Sequence, residues 1–76
     1  MMVRLYTPNG YCVSLIQTTL GNGTALEAVY WARDIPQEVW LPCPIEEFDM
    51  NFMYAEHFMQ LMKAILELPV KEMLYP

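Results

Sequence analysis

The stretch Ile45–Leu68, IEEFDMNFMYAEHFMQLMKAILEL, decides how this chain is read. Stepped at 100° per residue, its apolar side chains fall into two adjacent stripes. Ile45, Phe48, Phe52, Ala55, Met59, Met62 and Leu66 make the first, and Met50, Tyr54, Phe58, Leu61, Ile65 and Leu68 the second. Together they span roughly 200° of a helix, about twice what an ordinary surface helix buries. Pro44 suits the entrance of such a helix, Glu46, Glu47 and Asp49 oppose the positive end of its dipole, and Pro69 ends it. The pattern predicts one helix over 45–68, about 36 Å long, against about 30 Å for a compact body of this chain length. A break near Asp49–Asn51 is the competing reading. Met53 is the one misfit, because it projects onto the side shared by Glu46, Asp49, Glu56, His57, Gln60, Lys63 and Glu67.

Upstream, the residue types change from helix-like to strand-like. Met2–Thr7 reads as a strand, and Pro8-Asn9-Gly10 as a tight turn in which proline presets φ and Asn-Gly accepts positive φ. Tyr11–Leu20 reads as a second, longer strand, rich in β-branched residues. After Gly21-Asn22-Gly23 two readings compete. Thr24-Ala25-Leu26-Glu27 fits a capping box that would open a helix, while Ala28-Val29-Tyr30-Trp31-Ala32 suits a third strand. The strand is favoured, because an Asn-Gly turn between β-rich segments is a hairpin signal. Asp34–Pro44 carries Pro36, Pro42 and Pro44, so it reads as a connector with room for one short edge strand at Glu38–Leu41. The expected fold is α+β: a small antiparallel sheet of three to four strands against one long C-terminal helix. The whole chain, residues 1–76, is one domain, with a β-meander and connector over 1–44, the helix over 45–68 and a tail over 69–76.

Composition adds a constraint. A 76-residue chain buries only about 60% of its unfolded surface. Hydrophobic residues nevertheless make up 55% of it and charged residues only 17%, against about 45–50% and 25% in ordinary domains. Some apolar surface is therefore left exposed or is covered by association. The second stripe, through Tyr54, Phe58, Leu61 and Ile65, is the expected seam of a homodimer, with the first stripe turned to the sheet.

The net charge of −5 is uneven. Arg4, Arg33 and Glu27 leave residues 1–33 at +1, whereas residues 34–76 set eight acids against Lys63 and Lys71 for −6. Four scattered basic residues make no phosphate-binding cluster, so direct nucleic-acid binding is not expected. A larger basic protein, or a complex that itself binds nucleic acid, is the expected partner, met by an acidic face of Glu46, Asp49, Glu56 and Glu67. No run is long and apolar enough to span a bilayer, and Arg4 and Tyr6 interrupt any signal-peptide core, so no membrane role is expected and a reducing cytoplasm is the default compartment. Cys12 and Cys43 could pair or stay free.

The chain carries no catalytic pattern. His57 is the only histidine and has no ligand-spaced partner, Ser14 is the only serine and lacks flanking elbow glycines, and the three glycines form no phosphate loop. No cofactor or metal is implied. Short, acidic, motif-free chains of this profile resemble, in type, immunity proteins and the anti-host proteins of phages, CRISPR inhibitors included. The expectation is a non-catalytic protein-binding protein: a small acidic inhibitor or adaptor that occludes a basic surface. The alternative is a structural or accessory subunit whose apolar helix is obligatorily buried in a larger assembly.

Overall fold

The computed structural model describes residues 2–20, 23–34 and 39–70, with Thr19, Leu20 and Gly23 described by backbone alone. Three strands, β1 (Met2–Tyr6), β2 (Tyr11–Leu20) and β3 (Gly23–Ala32), form an antiparallel sheet in the order β1-β2-β3, and one helix, α1 (Ala55–Leu66), packs against it. The α+β class is therefore as expected, and residues 24–32 are strand. Val13 stands between Leu5 and Tyr30, and Leu15 between Val3 and Ala28. This alternation turns Leu5, Val13, Leu15, Ala28 and Tyr30 to one face, where they meet Leu61 and Ile65 of α1.

The helix is half the expected length. It spans 12 residues, about 18 Å, and begins at Ala55, not Ile45. Residues 45–53 run beside β3 instead. The Ala28 N–H donates to Met50 O at 2.9 Å, and Leu26 and Met53 exchange N–H···O bonds of 2.8 and 2.9 Å as an isolated antiparallel bridge. Three features of this segment accompany that pairing. Glu47 has φ of 58°. Asp49 Oδ1 accepts the Asn51 N–H at 2.8 Å, an Asx turn that competes with helical bonding. Met53, the residue that did not fit the helical wheel, is fully buried in the core.

Further along β3, the Leu41 N–H donates to Tyr30 O at 2.8 Å and the Tyr30 hydroxyl donates to Pro42 O at 2.6 Å. The connector thus lies along β3 without forming the expected edge strand over its described residues; Glu38 lies outside them. Between them, Leu41 and Met50–Met53 occupy backbone groups of β3 that an exposed edge would leave open.

The turn after β1 holds the far end of α1. Gly10 takes φ of 95°, which glycine reaches without steric cost, and its N–H donates to Thr7 O at 3.2 Å. The loop directs Asn9 inward. Its side-chain amide donates to Ile65 O at 2.7 Å and to Leu68 O at 3.1 Å, and the Tyr11 hydroxyl donates to Pro69 O at 3.0 Å. Ile65 O also accepts the Leu68 N–H at 3.1 Å, so these bonds reinforce the last turn of α1 and pair the carbonyls of Leu68 and Pro69 just beyond it. Cys12 and Cys43 are thiols that are not joined in a disulfide. Cys12 is buried on the sheet face opposite Val13, in register with Tyr6 and Trp31, whereas Cys43 packs against the core cluster.

Two outcomes follow. Asn9→Ala should lower unfolding free energy by about 1–3 kcal/mol, the cost of losing both side-chain bonds, to Ile65 O and Leu68 O. Asn9→Asp should cost more, because a carboxylate would face carbonyl oxygens at the negative end of the helix dipole; urea melts of both variants read this directly. Burial, then Cys43, then Tyr11 push the Tyr30 phenol above the usual tyrosine value. Its stabilising contribution is then complete below about pH 10, the unfolded value, and is lost as pH rises through the raised native one. Across that alkaline window the wild-type melting temperature should fall more steeply than that of Tyr30→Phe.

Candidate functional site

The surface of α1 is the feature of this fold best suited to recognition. Leu61 and Ile65 are both 0% exposed and belong to the protomer's own core, with Phe58, Met62 and Leu68 packed partly against them. On the adjacent side Met59 is 71% and Leu66 47% exposed. Together with Phe58, Met62, Lys63 and Glu67 these two residues line an open groove of about 400 Å³. The two stripes are therefore assigned the other way round from expectation. Within α1, Leu61 and Ile65 of the second stripe face the sheet, while Ala55, Met59 and Leu66 of the first face solvent. Of the four residues expected at a dimer seam, Leu61 and Ile65 are spent inside the protomer. Tyr54 is exposed at the N-cap of α1, and only Phe58 lines the groove. The core-facing direction of α1 bisects Leu61 and Ile65, and Met59 lies more than 90° away from it.

The carboxylates expected on one helical face are also redistributed. Glu46 and Asp49 lie in the non-helical segment before α1, so they do not continue a stripe along it. Glu56 sits in the first turn and Glu67 at the C-cap. Eleven residues apart, they share one side of α1, roughly 16 Å from each other. All four are exposed, as is Glu47. Among the described residues, the only ion-pair contact they make is Glu56 Oε1 to His57 Nε2 at 4.0 Å, a pair that is charged only when the imidazole is protonated.

His57 has a role the sequence reading missed. It is half-buried, and its Nδ1 accepts the Tyr54 N–H at 3.3 Å, so the imidazole stands where a capping-box glutamate would. The ring also meets Phe48 edge-on at 6.2 Å and Tyr54 at 5.8 Å. The spacing Tyr54-Ala55-Glu56-His57, with an acceptor three residues after the cap, is the signal that would have located the helix start. Beside it, Glu47, Phe48, Asp49, Phe52 and His57 line a smaller hollow of about 180 Å³. Among the described residues no cluster of three His, Cys, Asp or Glu side chains is placed to hold a metal ion, and no helix is long and apolar enough to cross a membrane.

The aromatic residues divide cleanly. Tyr11 and Tyr30 are buried with ring centroids 5.9 Å apart, and Trp31 is buried beneath the Arg4 guanidinium at 5.3 Å. Trp40 and Tyr6 are exposed, at 64% and 61%. No family model matches this chain, and no curated protein or solved structure matches it either.

The division between stripes is testable by stability. Leu61→Ala should cost about 2–5 kcal/mol as a core truncation, and Leu61→Glu should prevent folding. At concentrations low enough for the chain to be monomeric, Met59→Glu should shift unfolding free energy by no more than about 0.5 kcal/mol. Circular dichroism melts of the three variants would show the opposite ranking if the first stripe faced the sheet.

Proposed function

We propose that this chain is a non-catalytic protein-binding protein, a small acidic inhibitor or adaptor that occludes a basic surface of a larger protein or nucleic-acid-binding complex. The observation that carries this reading is the uncovered apolar side of α1, with Met59 and Leu66 in solvent beside half-buried Met62 and Phe58. Methionine is flexible and polarizable, and surfaces that adapt to a partner overuse it. Glu46, Glu47, Asp49 and Glu67 add carboxylates with no lysine or arginine within ion-pair distance among the described residues. Unneutralised negative charge suits a basic partner, because it steers the encounter, and the exposed Phe52 and Tyr54, next in sequence to Glu46, Glu47 and Asp49, add apolar contact outside the groove.

A second reading, an accessory subunit buried in a larger assembly, is favoured by one further fact. Exposed large apolar residues are not confined to α1 but include Met2, Tyr6, Val39 and Trp40 elsewhere on the body. An obligate subunit, purified alone, would aggregate; an inhibitor or adaptor would remain a defined soluble species in light scattering.

The test of the main reading is affinity capture from the native cell with wild type and one double variant side by side. Glu46→Lys/Asp49→Lys should release a basic partner, and the wild-type complex should weaken when salt is raised from about 0.1 to 0.5 M. A partner retained by the charge-reversed variant at high salt would sink the acidic-docking reading.

A further inference from the structure

We infer that the apolar side of α1 is the seam of an antiparallel homodimer, with the α1 helices of two copies packed against one another. The inference rests on reading this side of α1 as a docking surface, and it assigns the occupant. Ala55, Met59, Met62 and Leu66 follow the 4-3-4 spacing of a coiled-coil seam. In an antiparallel pair the layers close on themselves. Ala55 meets the second copy's Leu66, Met59 meets its Met62, and the two remaining layers repeat these by symmetry. The smallest seam residue therefore faces a large one, and the two methionines share the centre.

Charge decides the orientation. Glu56 and Lys63 each follow a seam residue directly and flank the same side of it. Antiparallel packing sets Glu56 of each copy against Lys63 of the other, giving two ion pairs per dimer. Lys63 has no ion-pair partner among the described residues, and Glu56 has only the imidazole of His57 at 4.0 Å. On the other side of the seam stand Phe58 and Ile65, which belong to or pack against the protomer's own core. Parallel packing would instead bring Lys63 against that apolar side and form neither pair. Glu46, Glu47 and Asp49 precede the helix and flank no seam layer, which leaves them available to a basic partner of the dimer.

Sedimentation velocity on the purified full chain tests this. Wild type should sediment at twice the chain mass at concentrations near 0.1 mM, and Met59→Glu should sediment as a monomer with an unchanged circular dichroism spectrum. Lys63→Glu and Glu56→Lys should each weaken the dimer about tenfold, and the double exchange Glu56→Lys/Lys63→Glu should restore it. A monomeric wild type, or a Met59→Glu variant that still dimerises, overturns the seam. A double exchange no tighter than either single one overturns the antiparallel orientation. If wild type is monomeric but still captures a basic partner that Glu46→Lys/Asp49→Lys releases, the dimer falls while the acidic-docking reading stands.

Discussion

Asn9 is the hinge on which this small fold depends. A three-stranded sheet and a 12-residue helix share one thin core, and a helix of that length is marginal in water on its own. Its C-terminal carbonyls are held by a single side chain from the first turn, through bonds of 2.7 and 3.1 Å, and the Tyr11 hydroxyl adds a third tie at Pro69. Contacts 56 to 59 residues apart in sequence thereby fix the direction of α1 across the sheet. Both amide hydrogens of Asn9 are used, and its carbonyl oxygen is buried with no partner. That residual cost marks how tightly the turn and the helix end are fitted.

The sheet was legible because its signals are local. The turn at Pro8-Asn9-Gly10 and the β-rich runs on either side of Gly21-Asn22-Gly23 each reveal a strand boundary within a few residues. The helix was legible in kind but not in extent. Residues 45–53 carry apolar side chains at spacings that also suit a helix, and what removes them from it is tertiary. Leu26 and Ala28 of β3 hydrogen-bond to Met53 and Met50, and no periodicity in the sequence encodes that pairing. Met53 was the visible warning, since a large apolar residue on a polar helical side signals that the wheel has the wrong axis. The candidate surface followed the same course. Its apolar stripe is present in the sequence, but which stripe faces water depends on how α1 is rotated against the sheet, which takes Leu61 and Ile65.

Shortening the helix changes why a partner is implied. The expectation of an overhanging rod disappears with residues 45–54, which are not helical and of which Met50 and Met53 hydrogen-bond to β3. What remains is a matter of width. Leu61 and Ile65 are the fully buried residues of α1, and Met59 and Leu66 stay outside the core. A chain richer in apolar residues than its own interior can absorb shows the excess on α1, around Phe52 and Tyr54, and near Trp40. The carboxylates at 46, 47, 49 and 67 lie close in sequence to that excess.

The placement of the two thiols has a redox consequence. The sheet stands between Cys12 and Cys43, and a disulfide needs Cα atoms within about 7 Å with side chains directed at each other. An oxidising environment therefore cannot staple a folded chain to itself. Cys43, the less deeply buried of the pair, would join one molecule to another, while Cys12 would be spared until the strands part.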